Sequence, residues 1–197
     1  MVRDLVPVAS VSGMGEMKDR MLAGQDYRDT DPELQADGLR AADLTARFNA
    51  EPDPAARREL LAELLGSVGE GTTVRPAIRC DYGYQTTIGV NTFVNWGAVF
   101  LDVGRIVIGD FVQMGPNVQL LTATHPLDAG RRKEGWENSE PITIGDNVWL
   151  GGGVIVLPGV TIGADTVVGA GSVVTRDLPS GVLAVGNPAR VIRQLGD

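Results

Sequence analysis

From about residue 72 the chain sets an aliphatic side chain at every sixth position, and Ile144, Leu150, Val156, Ile162, Val168 and Val174 follow one another without a miss. The runs Ile88, Val94, Phe100 and Ile108, Met114, Leu120 keep the same step. Two extra residues between Phe100 and Ile108 mark a place where a turn must bulge. A period of six fits neither a helix, whose face repeats near 3.6, nor a hairpin sheet with its period of two. It fits short parallel strands joined by tight turns, with Gly145, Gly151, Gly163 and Gly169 beside the column where the backbone must bend. At the usual strand spacing of about 4.8 Å, some five coils make a prism roughly 24 Å tall with the aliphatic column inside.

The texture divides the chain. Residues 1–13 are expected to be a flexible N-terminus, 14–70 a helical segment, 71–185 the repeat domain with an excursion over 122–141, and 186–197 a C-terminal segment. Asp31-Pro32 and Asp53-Pro54 each read as an N-cap followed by proline at the first helical position, where its missing N–H costs nothing. Behind them Leu39, Leu44 and Phe48, then Leu60, Leu61, Leu64 and Leu65, recur at helical spacing. Two or three short amphipathic helices should therefore cover one end of the prism.

A net charge of -8 argues against a nucleic-acid or anionic-membrane surface, so any anionic ligand must be met by a local arginine cluster. No stretch approaches the roughly 18 apolar residues of a membrane span. The single Cys80 can form neither an intrachain disulfide nor a zinc site alone, and reads as a small buried side chain in a cytoplasmic protein.

Ile144 follows Leu120 by four times six positions, so the excursion returns the chain in phase. Its charged run Arg131, Arg132, Lys133, Glu134 offers no aliphatic column and cannot be core. The excursion carries the only histidine of the chain, His125, held extended by Pro126.

The segment IGDNVWLGGGVIVLPGVTIGADTVVGAGSVVTRDLPSGVLAVGNPARVI at 144–192, with RCDYGY at 79–84 and TATHP at 122–126, resembles the maltose and galactoside O-acetyltransferases of the hexapeptide-repeat superfamily. The resemblance runs from AGQDYRDTDPEL near residue 23 to the end. It implies a mainly β fold, a left-handed parallel β-helix, assembled as a homotrimer with active sites between subunits. The hand comes from the resemblance alone, since the general crossover rule favours the right.

The same resemblance implies acetyl transfer from acetyl-CoA to a sugar hydroxyl, with His125 as general base and Asn95 as transition-state stabiliser. An imidazole, with a pKa near 6.5 as a class, is suited to taking the proton of a hydroxyl, and no covalent acyl-enzyme is needed. A backbone N–H near Gly152 is expected to add a second donor to the developing oxyanion. For the acceptor the resemblance implies Asp29, with Asp26 and Asp31 as close alternatives, together with Asp81, Phe93 and Asp102, since carboxylates accept strongly from sugar hydroxyls. Phe93 stands where relatives carry tyrosine and Glu137 where another carries methionine, which leaves the sugar open. For coenzyme A it implies Trp149, Gly152, Ala170, Thr175, Arg176, Arg190 and Arg193, small residues for the arm and arginines for phosphate. No metal is expected: a zinc carbonic anhydrase on this scaffold would need three histidines. Transfer to another small hydroxyl or amine, and a noncatalytic solenoid, are the competing readings.

Overall fold

The computed structural model describes residues 15–196, so the expectation for residues 1–13 lies outside the described residues. Three helices come first: α1 (Glu16–Leu22), α2 (Pro32–Ala50) and α3 (Pro54–Leu64). Both Asp-Pro pairs open helices, the Asp31 side chain accepting from Glu33 N–H at 2.9 Å and Asp53 from Ala56 N–H at 2.8 Å. Leu44, Phe48, Leu61 and Leu64 join the same apolar cluster as Val74 and Ile78, so α2 and α3 close the first coil. Leu39 departs from the expected stripe: it is 74% exposed, because the buried face of α2 runs through Leu34, Ala41, Leu44 and Phe48 instead.

The chain then winds through five full coils of three short strands each and begins a sixth. One face stacks Ser67–Val68, Thr86–Ile88, Ile106–Ile108, Ile142–Ile144 and Thr161–Ile162. A second stacks Thr73–Val74, Phe93–Val94, Gln113–Met114, Trp149–Leu150, Val167–Val168 and Val182–Gly186. A third stacks Arg79–Cys80, Val99–Leu101, Gln119–Leu121, Ile155–Val156 and Val173–Val174. All these neighbours are parallel; only the final strand, Ala189–Gln194, turns back antiparallel on Val182–Gly186.

Every column residue from Ile88 to Val174 is at most 2% exposed, as the six-residue period requires. A second inward position lies two residues before it, filled by Val112, Val118, Val148, Val154 and Val160, and elsewhere by Thr92, Thr166 and Ser172. The hydroxyls are satisfied by the corners. Thr92 Oγ1 donates to Gly109 O at 2.9 Å and accepts from Val112 N–H at 3.0 Å, which stitches one coil to the next. The corners between the first and second faces hold Asn91, Asn147 and Asp165 at φ between 53° and 58°, a conformation that short polar side chains tolerate best, and Phe111 takes the same conformation at 56°.

The excursion is an antiparallel ribbon, Ala123–Thr124 against Asn138–Ser139, tipped by a short helix α4 (Ala129–Lys133). Asp128 caps that helix by accepting from Arg131 N–H at 2.8 Å. The phase slip before Ile108 is the wide corner at residues 102–105.

Candidate active site

The excursion ribbon and the N-terminal segment are tied into one wall. Tyr27 and Glu137 exchange both backbone hydrogen bonds, at 3.0 and 2.9 Å. Asp26 holds Arg131 at 2.6 Å and Asn138 at 2.7 Å. Behind this wall lies a cavity of about 370 Å³ lined by Asp29, Asp81, Tyr82, His125 and Glu137, with Tyr27, Leu34 and Leu101 among its other sides.

The three N-terminal aspartates separate by partner. Asp26 is occupied by Arg131 and Asn138, and its carboxyl is held below the ordinary range chiefly by the Arg131 hydrogen bond. Asp31 is buried as the cap of α2 and also accepts from Met17 N–H at 3.2 Å. Asp29 alone of the three lines the cavity.

Asp102 is not where an acceptor residue must be. It is 0% exposed, with Oδ1 accepting from the N–H groups of Asp81 at 3.1 Å and Tyr82 at 3.0 Å and Oδ2 from Thr86 Oγ1 at 3.1 Å. Burial pushes its carboxyl up, while those hydrogen bonds oppose the rise. Asp102, in the wide corner, is therefore a positioning residue that fixes the Asp81–Tyr82 turn of the coil below.

Asp81 faces the cavity with its Oδ2 buried and without a hydrogen-bond partner. Burial pushes its carboxyl up to about 7, helped by the nearby carboxylates of Asp102 and Glu137. A carboxyl raised in the folded state from its ordinary 3.8 destabilises the fold once ionised. The sign follows: stability is intact below about pH 4 and is lost as pH rises through about 7. Asp81→Asn should therefore melt a few degrees higher than the parent at pH 8, with the gap closing near pH 4. Thermal unfolding at the two pH values checks this, and an equal gap at both would contradict it.

Glu137 was legible only as a departure, yet it lines the cavity and accepts from Tyr27 Oη at 2.9 Å. Burial first, and the Glu137 carboxylate second, hold the Tyr27 phenol well above its ordinary range, so it stays a donor. Tyr82, in the RCDYGY segment, lines the cavity and stacks on Tyr84 at 5.6 Å between centroids. Cys80 is only partly buried; burial pushes its thiol up to about 12, and it sits 3.4 Å from Thr45 Oγ1.

The remaining site residues stand elsewhere. None of Phe93, Asn95, Trp149, Gly152, Ala170, Thr175, Arg176, Arg190 or Arg193 lines the His125 cavity. Phe93 and Trp149 point outward on the second face, where Arg75 lies over the Phe93 ring at 5.2 Å and the Trp96 ring at 4.3 Å. At the edge after that face, Trp96, Pro116, Gly152 and Ala170 stack one per coil, joined by Asn117 N–H to Trp96 O, Gly153 N–H to Pro116 O and Gly171 N–H to Gly152 O. Beside Trp96, Asn95 Oδ1 accepts from Trp96 N–H at 2.9 Å, which leaves the amide NH₂ as a fixed donor facing outward. Above Gly152 and Ala170 the edge carries almost no side chains, and exposed Thr175, Arg176, Arg190 and Arg193 stand toward the C-terminal end.

Within one chain Asn95 and Gly152 are two coils apart, about 10 Å along the prism, so the two could meet one oxygen atom only if different subunits supplied them. Gly152 belongs to the small-residue edge.

The residues thus fall into two groups: the His125 cavity with its carboxylates, and the Asn95 edge with its strip of small residues. Nothing in a single chain brings them face to face. Among the described residues, no group of His, Cys, Asp and Glu could hold a metal ion, and no helix is long and apolar enough to cross a membrane.

The family description "Maltose acetyltransferase hexapeptide capping motif" matches residues 20–69, and "Bacterial transferase hexapeptide (six repeats)" matches 141–176. The chain is 48% identical over 176 residues to nodulation protein L of Rhizobium meliloti, covering 88% of this chain and 96% of that one. It is similar to the crystal structure of a maltose O-acetyltransferase from Clostridium difficile 630, at 47% identity and a TM-score of 0.91, covering 94% of this chain and 100% of that one. A galactoside acetyltransferase in complex with coenzyme A matches at 41% identity and a TM-score of 0.87, over 92% of each chain.

Proposed function

Because the chain belongs to the maltose and galactoside O-acetyltransferase family of hexapeptide-repeat acyltransferases, we propose that it moves an acetyl group from acetyl-CoA to a hydroxyl of a sugar bound in the His125 cavity. The observation that carries this reading is the convergence of His125, Asp29, Asp81 and Glu137 on one cavity. His125 takes the hydroxyl proton, while the carboxylates accept from the other hydroxyls and orient the ring.

Coenzyme A fits the small-residue edge. A side chain at Gly152 or Ala170 larger than methyl would occupy the strip along which a pantetheine arm lies, and the arginines beyond it suit phosphate. When bound, the donor supplies an activated acetyl thioester. Asn95, with its Oδ1 already engaged, gives its amide N–H to the oxygen that becomes negative during transfer.

Bringing cavity and edge together requires a second copy. A ring of three, in which one subunit's excursion reaches the next subunit's edge, uses a head-to-tail interface that closes on itself. The exposed aromatic and aliphatic groups Trp96, Trp149, Val191 and Ile192, on or beside the second face, support such a contact; Trp149 is 56% exposed in the single chain. A reducing cytoplasm agrees with the lone thiol of Cys80.

Acetyl transfer measured across maltose, glucose, galactosides and small alcohols tests the reading, and no transfer to any of them would overturn it. Arg190→Ala should raise KM for acetyl-CoA about ten-fold with a smaller loss in kcat, because a phosphate contact far from the thioester binds ground and transition states alike. Steady-state kinetics with varied acetyl-CoA read this directly, and an unchanged KM removes Arg190 from the donor site.

A further inference from the structure

Four carboxylates outside the cavity are held by cations. Asp26 is held by Arg131 at 2.6 Å, Glu33 and Asp37 by Lys18 at 2.7 and 2.8 Å, and Asp43 by Arg47 at 3.4 Å. The three inside it have no such partner and share one space. Asp29, Asp81 and Glu137 line the cavity with no lysine or arginine among the lining residues, and no ion pair reaches them from the described residues. Asp81 Oδ2 is buried with no partner at all, an arrangement that costs stability unless a ligand fills it.

Neutral hydroxyls would hydrogen-bond these groups without cancelling their charge. A divalent metal would cancel it, but the carboxylates do not converge closely enough to hold one among the described residues. An ammonium matches both needs: it carries three donors on a compact charge and can bridge acceptors that do not share one coordination sphere. Tyr82, 7% exposed and lining the same space, adds an aromatic wall of the kind that favours a cation.

We infer that the preferred acceptor is an amine-bearing sugar, whose protonated nitrogen is held by Asp81 and Glu137 with Asp29 near, while a neighbouring hydroxyl is presented to His125. This rests on the acetyl-transfer reading above. The nitrogen stays protonated against the carboxylates and so is not the nucleophile. His125 takes the hydroxyl proton as that oxygen bonds to the acetyl carbon, the carbon–sulfur bond breaks, and the proton passes to the leaving sulfur. The products are an acetate ester of the amino sugar and free coenzyme A.

The test compares kcat/KM of the full-length protein for methyl glucoside, its 2-amino and 6-amino counterparts, and the N-acetylated form of each amine. At least one free amine should exceed both methyl glucoside and its own N-acetyl form by about ten-fold or more. The product should be an ester, cleaved by neutral hydroxylamine. In Asp81→Asn and in Glu137→Gln the ratio of amine to neutral sugar should fall toward one. Equal use of amine and neutral sugar, or an amide product, overturns the inference while leaving sugar O-acetylation intact. Absence of transfer to every acceptor overturns both.

Discussion

His125→Ala should remove acetyl transfer almost completely, while the protein keeps its assembly and its affinity for coenzyme A. Loss of a general base typically costs 10² to 10⁴ in rate, roughly 3 to 5 kcal/mol of transition-state stabilisation. The fold should hardly notice. His125 is exposed on the excursion, outside the apolar column, and it makes no hydrogen bond within the described chain. Substitutions of that kind usually stay within about 0.5 kcal/mol. Retention of more than about a tenth of the parent kcat would mean that proton removal by His125 is not the main catalytic step.

A mixture of two inactive variants should regain activity. His125→Ala retains an intact Asn95 edge, and Asn95→Ala, expected to lose about 10² to 10³ in kcat, retains an intact cavity. If each site joins one subunit's cavity to its neighbour's edge, random mixing at equal amounts makes about a quarter of all sites whole in a closed ring. Co-expression with two affinity tags, purification of the doubly tagged species and a turnover assay read the outcome. Activity near background in that species would place both residues in one chain's site and end the shared-site reading.

The prism was plain in the sequence because its physics is periodic. A column buried at every sixth residue leaves a pattern that no helix or hairpin imitates, and Ile144 to Val174 lie where the period puts them. The second inward position was harder to see. Thr92, Thr166 and Ser172 are polar by composition, and only the corner carbonyls and N–H groups they bond make them suited to the interior. The cavity was legible as residue types and not as an arrangement. Nothing local distinguishes Asp102, enclosed by the wide corner, from Asp81 one coil below it, which faces open space. Glu137 shows in the sequence only as a departure from a relative, because its place is set by pairing with Tyr27, more than a hundred residues away in sequence. Leu39 misled for the opposite reason: it is a good helix former on the solvent side of α2, and helical spacing alone does not choose the face.

A coil that stacks on an identical coil has no inherent reason to stop. Each level ends in a row of peptide groups pointing along the axis, and a second molecule could continue the ladder at either end. Here the first coil is covered, and at the far end the second face is covered too. The helices α2 and α3 sit over the first coil through Leu44, Phe48, Leu61 and Leu64, so the lowest peptide row meets side chains. At the other end Ala189–Gln194 reverses direction on Val182–Gly186, and a strand running the wrong way offers no parallel register for a further coil. The covering helices and the reversed strand are thus stops on the ladders they meet, and hinder an indefinitely repeatable unit from growing into a fibre.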